Sequence, residues 1–216
     1  MLKLKIDKDY YDEGTSMYDK ETVSFEPGVT VLVGCNGSGK TTLLRQIEII
    51  CKEKNIPIIS FDNYRNGGKE MMQMNMLYGD MSGVINNYMS SEGERISNAI
   101  LEHAKKIGQL VRQHRDAEKI VILFDAVDSG FSADNIVELK KQLFDMIIDD
   151  CHRSDIEPYI IVAGNSYEMA ANERCIDVCR LTSFVPKSYQ RWRKVIMNTR
   201  KKKNHRYGWD EFEYGE

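Results

Sequence analysis

The segment Gly34–Thr41 reads GCNGSGKT and is the part of the sequence best suited to chemistry. It matches the pattern G-x-x-x-x-G-K-[ST], in which glycines let successive backbone N–H groups face one concavity that holds phosphates. Lys40 would reach the β- and γ-phosphates, and the Thr41 hydroxyl would bind Mg²⁺. The predicted nucleotide-binding residues are Gly34, Cys35, Asn36, Gly37, Ser38, Gly39, Lys40, Thr41 and Thr42. The alternative is a plain glycine-rich turn.

A second chemical feature is Asp125, which follows the apolar run Ile120–Phe124 and lies 85 residues after Lys40. A carboxylate at the end of a buried strand is expected to help hold Mg²⁺ beside a nucleotide. The alternative is a helix-capping or turn aspartate. The next residue is Ala126, whose methyl group cannot accept a proton.

These residues need a framework of strands and helices, and the hydrophobic pattern supplies one. Runs that are apolar on both faces predict buried parallel strands, and amphipathic stretches between them predict helices. The predicted strands are Thr22–Phe25, Val29–Val33, Ile56–Asp62, Ile120–Phe124, Tyr159–Ala163 and Val178–Leu181, after an alternating strand near Leu2–Ile6. The predicted helices are Thr41–Lys54, Glu92–Arg115, Ala133–Cys151 and Tyr167–Asn172.

Composition places the chain among ordinary globular proteins, with 42% hydrophobic and 29% charged residues over 216 residues. No apolar run approaches the roughly 20 residues of a membrane span, so we expect no membrane contact and a cytoplasmic location. Five cysteines without a CxxC pair predict reduced, structural thiols.

The net charge of −3 hides an uneven distribution. Residues 180–206 carry ten Lys or Arg and no Asp or Glu, whereas residues 1–179 sum to −9 and the last ten residues to −4. Aromatic residues among the cations of the segment 187–206 favour a nucleic-acid surface. The spacing of Trp192, Val195 and Ile196 equally favours a helix that packs on the acidic body.

Taken together, VTVLVGCNGSGKTTLL, SSEGER (Ser90–Arg95) and ILFDAVDSGFS resemble the ABC-type ATPases, and specifically their SMC and RecF-like branch. The resemblance implies an α/β P-loop NTPase fold, with a mostly parallel sheet flanked by helices and an N-terminal antiparallel strand group. It also implies a homodimer around two Mg-ATP molecules, in which Ser91 and Gly93 of one chain face the nucleotide of the other. SxGE is also an ordinary start of a helix.

Three departures from the family pattern limit what the resemblance implies for catalysis. Ala126 stands at the catalytic glutamate, and Asn165 stands at the histidine that contacts the γ-phosphate. Only 49 residues separate Thr41 from Ser91, which implies a reduced lid around 63–90 and no coiled-coil arms. Gln73 is the available candidate for the glutamine that contacts Mg²⁺ and water.

Three explanations of Ala126 remain open at this point. The first is that the protein hydrolyses ATP very slowly and acts as a clamp or switch. The second is that Asp128 supplies the base two residues further on. The third is that the reaction is not hydrolysis or that the alanine is an engineered substitution. The predicted catalytic residues are Asp128 and Asn165, and the predicted metal ligands are Thr41, Asp125 and Gln73.

The resulting hypothesis is a dimerising, DNA-associated ATPase of low turnover, with ATP and Mg²⁺ as cofactors. It has an ATP-binding domain over residues 1–186 and a basic, then acidic, tail over 187–216. The alternative hypothesis is a non-catalytic, ATP-gated module that recruits a protein partner.

Overall fold

The computed structural model describes residues 1–9, 16–62 and 92–209. Its main sheet has six strands in the order β4-β5-β6-β3-β7-β8, all parallel except β8, and β1 and β2 form a separate antiparallel pair. The strands are β1 Leu2–Lys5, β2 Thr22–Phe25, β3 Gly28–Val33, β4 Ile58–Asp62, β5 Lys119–Asp125, β6 Glu157–Ala163, β7 Arg174–Asp177 and β8 Thr182–Phe184. The predicted α/β P-loop NTPase fold is therefore confirmed.

Helices cover both faces of this sheet. They are α1 Lys40–Glu53, α2 Glu92–Gln113, α3 Ala133–Leu139, α4 Asp145–His152, α5 Tyr167–Ala170 and α6 Tyr189–Arg206. A π-helical segment, Lys140–Phe144, joins α3 to α4, so the single helix predicted over Ala133–Cys151 forms with one local widening. Within the described ranges, no helix is long and apolar enough to span a membrane.

The central strands are buried on both faces, as their continuous apolar sequences predict. Alternate residues of a strand point to opposite faces. Ile120 and Ile122 of β5 accordingly pack in the core formed with α2, α3 and α4, whereas Val121 and Leu123 pack in a second core with α1. The two cores fix β5 between β4 and β6 and so fix the position of Asp125 at its end.

Two features of strand pairing differ from the sequence-based expectation. The short turn between Thr22–Phe25 and Val29–Val33 predicts that these two strands pair, but β2 pairs with β1, and β3 lies between β6 and β7. The expected strand Val178–Leu181 is a turn, because Asp177 Oδ1 accepts hydrogen bonds from the N–H groups of Cys179 (3.0 Å) and Arg180 (3.2 Å). Those amides are therefore unavailable to a strand neighbour.

All five cysteines lie in the described part of the chain, and each is a buried free thiol. Burial raises the pKa of Cys51 and Cys151 to about 11, and the pKa of Cys175 and Cys179 to about 12. Thiols with such pKa values are protonated at neutral pH and poorly nucleophilic. They act as small core residues, as the sequence predicts.

Candidate nucleotide-binding site

The loop Gly34–Gly39 connects β3 to α1, which is the position a phosphate-binding loop requires. Gly37 and Gly39 have positive φ angles of 75° and 104°. A Cβ atom at Gly34 would clash with the side chains of Ser38 and Val178, so a larger residue would displace the loop. The sequence thus closes the backbone into a tight cradle in front of the N-terminus of α1.

Lys40 is 8% exposed, and its ammonium group lies inside this cradle. Its Nζ donates hydrogen bonds to the carbonyl oxygens of Gly34 (2.7 Å) and Cys35 (3.4 Å). Burial lowers the pKa of Lys40, while Cys35, Asp125 and Asp128 oppose that effect. A cation held by neutral carbonyl groups is available to a phosphate, which binds it more strongly.

Thr41 and Asp125 meet at the end of β5, where the Thr41 hydroxyl hydrogen-bonds to the Asp125 carboxylate. Burial raises the pKa of Asp125, and the Thr41 bond and the charges of Lys40 and Arg45 counteract it. Hydroxyl and carboxylate oxygens are the ligands that Mg²⁺ prefers. This pairing of donor atoms fits the ion that the sequence predicts here.

Ala126 follows Asp125 in a left-handed conformation with a φ angle of 53°. Its N–H donates to the carbonyl oxygen of Ala163 (3.1 Å), and its carbonyl oxygen accepts from the N–H of Ser129 (3.1 Å). The chain therefore turns sharply beside the end of β6. The turn places a methyl group next to the predicted metal ligand, where it offers no proton acceptor.

Asp128 lies beyond this turn and is 6% exposed. Its Oδ2 accepts three hydrogen bonds, from the N–H groups of Asn165 (2.8 Å) and Ser166 (2.7 Å) and from the Ser166 hydroxyl (2.7 Å). Its Oδ1 is buried and has no hydrogen-bond partner among the described residues. The two predicted catalytic residues are thus brought together, and Asp128 holds the backbone of the loop that presents the exposed Asn165 side chain.

Comparison with known proteins agrees with this geometry. A family model described as the AAA ATPase domain matches residues 17–204. The chain belongs to the AAA ATPase domain family. The match covers the phosphate-binding loop, β5 and most of α6, and membership supports ATP binding and the usual use of Mg²⁺. The predicted resemblance to P-loop ATPases is confirmed.

One solved structure similar to this AAA ATPase domain is described as a DNA replication initiation factor. It shares 12% identity at a TM-score of 0.31, and the match covers 86% of this chain and 47% of that chain. The present chain therefore spans about half the length of that protein. The curated proteins contain no match to the chain.

Asp62 is an acidic residue of the domain that the sequence-based reasoning did not assign to the site. It ends β4, pairs in register with Asp125, and contributes to raising the pKa of Asp125. Both carboxylates line a cavity of about 210 Å³ together with Thr41, Arg45 and Glu48. The signal was present in the sequence, since Asp62 and Asp125 each end an apolar strand, but the adjacency of β4 and β5 was needed to use it.

The helix α6 supplies two further residues that sequence reasoning missed. The Thr199 hydroxyl accepts a hydrogen bond from the N–H of Cys35 (2.9 Å), and Lys203 Nζ donates to the carbonyl oxygen of Asn36 (3.1 Å). No local pattern links these positions, because 164 residues separate Thr199 from Cys35. The basic segment 187–206 therefore contacts the phosphate-binding loop directly.

The other predicted residues are placed as follows. Thr42 is buried in the first turn of α1, and Gly93 lies in the first turn of α2. Gln73, Ser91 and the predicted lid around 63–90 lie outside the described residues. Their assigned roles, like those of Asp128 and Asn165, stay predictions.

Proposed function

We propose that the protein binds Mg-ATP in the loop 34–42 and hydrolyses it slowly, so that ATP acts as a long-lived switch. The observation that carries this proposal is the placement of Lys40 and of the Thr41–Asp125 pair at the mouth of one glycine cradle. Main-chain N–H groups of the cradle and Lys40 would bind the phosphates. Thr41 and Asp125 would hold Mg²⁺, which neutralises phosphate charge when bound.

The slow step follows from Ala126. A positioned general base typically contributes about 10² to 10⁴ in rate, and a methyl group contributes none of it. Because typical turnover numbers are near 10 per second, we expect about 10⁻¹ to 10⁻³ per second here. Asn165 can donate a hydrogen bond to a phosphate oxygen but cannot change charge near neutral pH.

Two carboxylates are candidates for the base in place of a glutamate, and their contacts differ. Asp128 Oδ2 already accepts three hydrogen bonds from Asn165 and Ser166, so a proton would have to go to Oδ1, which is buried and has no hydrogen-bond partner among the described residues. Asp62 instead lines the cavity shared with Thr41 and Asp125. We propose Asp128 as a support for the Asn165 loop, with catalysis by Asp128 as the competing possibility.

Steady-state ATP turnover of Ala126→Glu beside Ala126→Gln tests the proposal. The two side chains have nearly the same size, but only glutamate can accept a proton. We expect Ala126→Glu to raise turnover at least tenfold and Ala126→Gln to leave it unchanged. Lys40→Ala, run in parallel, defines the background. Wild-type turnover above about 1 per second that Asp128→Asn abolishes would contradict the proposal and make Asp128 the base.

We propose in addition that ATP drives homodimerisation, with Ser91 and Gly93 of one protomer facing the nucleotide of its partner. Linkage then requires ATP to tighten the dimer and the dimer to tighten ATP by the same factor. Sedimentation velocity with Mg-ATP should show a dimer for the wild type and a monomer for Lys40→Ala. A wild type that stays monomeric at saturating Mg-ATP would contradict this part.

We propose that residues 1–186 form the ATP-binding domain and residues 187–216 its tail. We also propose that the exposed part of the basic segment 187–206 binds DNA. Exposed cations near the start of this segment include Lys187, Arg191, Arg193 and Lys194. Phosphate contacts by several such residues predict DNA retention that weakens steeply as salt rises. We expect replacement of Arg191, Arg193 and Lys194 by glutamine to abolish retention without changing ATP affinity. Indifference to DNA together with recovery of a stoichiometric protein partner would favour the ATP-gated recruitment module.

A further inference from the structure

Lys203 is the cation of α6 that lies closest to the phosphate-binding loop. Its Nζ donates a hydrogen bond to the carbonyl oxygen of Asn36 (3.1 Å), and it would lie 3.0 Å from a Cβ atom at Gly37. Asn36 and Gly37 form the exposed tip of the loop whose amides would bind phosphate. A lysine from α6 thus contacts the exposed tip of the predicted phosphate-binding loop.

This position of Lys203 is fixed by the helix that carries it. Thr199, one turn earlier, accepts from the N–H of Cys35 (2.9 Å) and donates to the carbonyl oxygen of Ile196 (2.8 Å). On the next turn Arg206 donates to the carbonyl oxygen of Met17 (2.6 Å), and Lys202 forms an ion pair with Asp19. Contacts on both sides hold α6 against the loop. The Lys203 ammonium group therefore lies beside the loop already, and binding a ligand there would cost little further side-chain entropy.

The present partner of Lys203 is a neutral carbonyl group, whereas a nucleoside triphosphate would bring several negative charges to the same loop. An ammonium group has three donors and can keep the Asn36 contact while it attracts phosphate oxygens. Charge-assisted hydrogen bonds are about twice as strong as neutral ones. The electrostatic balance therefore favours Lys203 turning toward bound phosphate.

We propose that Lys203 is a second phosphate-binding cation of the nucleotide site, contributed by the C-terminal helix beside the Lys40 that lies within the loop. The proposal rests on the proposed function, because it needs a nucleotide in the loop 34–42. Its ligand class is the polyphosphate chain of a nucleotide. Lys203 would therefore bind nucleotide, whereas the exposed cations of the same segment would remain available to DNA.

An aromatic reporter adjoins this lysine. Lys203 Nζ lies 5.7 Å from the ring centre of Trp209, and that ring stacks on Tyr207 with a centroid distance of 5.1 Å. The N–H of Trp209 donates to the carbonyl oxygen of Asn204 (2.9 Å) across a glycine with a φ angle of 67°, so the helix end holds the ring in place. Movement of Lys203 toward phosphate would change the environment of Trp209.

Equilibrium binding of ATP, ADP and AMP to three single-residue variants of α6 tests the proposal. Lys203→Gln keeps a donor for the Asn36 carbonyl group but has no charge, and Lys203→Arg keeps the charge. Lys201→Gln removes an exposed cation from the same helix and is the matched control. We expect Lys203→Gln to weaken ATP binding about tenfold, ADP less and AMP least, while Lys203→Arg and Lys201→Gln stay within about twofold of wild type.

Fluorescence supplies a readout that does not depend on turnover. The chain has two tryptophans, so Trp192→Phe leaves Trp209 as the reporter. ATP should change its emission, and the change should be absent with Lys203→Gln added. Equal affinities for Lys203→Gln and Lys201→Gln would overturn the proposal while leaving the nucleotide site intact. If Lys40→Ala also bound ATP as tightly as the wild type, the proposed function itself would be overturned.

Discussion

The side chain of His103 in α2 should make stability depend on pH. It is 6% exposed, and its ring packs edge-on against Phe61 (5.3 Å between ring centres) and Phe124 (5.9 Å). Its Nε2 has no hydrogen-bond partner among the described residues. Burial, assisted by the charge of Lys106, lowers the pKa of His103 to about 4. The folded protein therefore holds a neutral imidazole where α2 meets β4 and β5.

The size and sign of the effect follow from linkage. An unfolded histidine titrates near pH 6.5, and the folded-state value of about 4 lies about 2.5 lower. Each pKa unit corresponds to about 1.4 kcal/mol, so the full effect is about 3 kcal/mol. Between these two pKa values the unfolded state binds more protons, so the free energy of unfolding decreases as pH falls from about 6.5 to 4.

Urea denaturation of the wild type and of His103→Leu between pH 7.5 and 4.5 measures this effect. Leucine has a similar volume and no titratable group, so contributions of other residues cancel in the difference between the two proteins. We expect that difference to shift by about 2.5 kcal/mol in favour of His103→Leu over this range. Ile100→Val, a core change on the same helix, should cost about 0.5–1.5 kcal/mol at every pH. Parallel curves for the wild type and His103→Leu would refute the reasoning.

Three further substitutions test contacts near the site. Thr199→Val removes the acceptor for the buried Cys35 N–H, so we expect thermal melts to show a free energy of unfolding lower by about 1–3 kcal/mol. Thr199→Ser keeps the acceptor and should have the wild-type free energy of unfolding. Gly164→Ala would place a Cβ atom 2.8 Å from Met169 Cγ, so urea denaturation should show a free energy of unfolding lower by about 1–3 kcal/mol. A decrease below about 0.5 kcal/mol would show that the Met169 side chain moves aside easily. Asp128→Asn replaces a carboxylate oxygen that accepts three hydrogen bonds by a weaker acceptor. We expect the free energy of unfolding to fall by about 1–3 kcal/mol and the Ser166 amide to exchange faster.

Much of the fold could be predicted because its signals are local. The strands β3, β5 and β6 carry continuous apolar runs that only a doubly covered sheet can bury. The phosphate-binding loop is specified by its own glycines, and α1 begins at Lys40 directly after Gly39. Such features depend on neighbours in sequence, so the sequence is sufficient to predict them.

The rest depended on contacts between distant segments. An apolar run at Val178–Leu181 resembles a strand, but one carboxylate, Asp177, directs the backbone into a turn. The pattern of Trp192, Val195 and Ile196 predicted a packing helix as one of two possibilities, and these residues do pack against the main core. Nothing local indicated that the following turns of that helix would reach the nucleotide loop.

The bond between Thr199 and Cys35 also has a consequence for biosynthesis. The amide of Cys35 is buried, and its acceptor is made 164 residues later. During translation the loop therefore emerges long before the group that completes its hydrogen bonding, and its native backbone awaits the last helix. A nascent or truncated chain that ends before α6 would carry the nucleotide motif in full and still lack a finished site, so a complete ATP site depends on synthesis of α6.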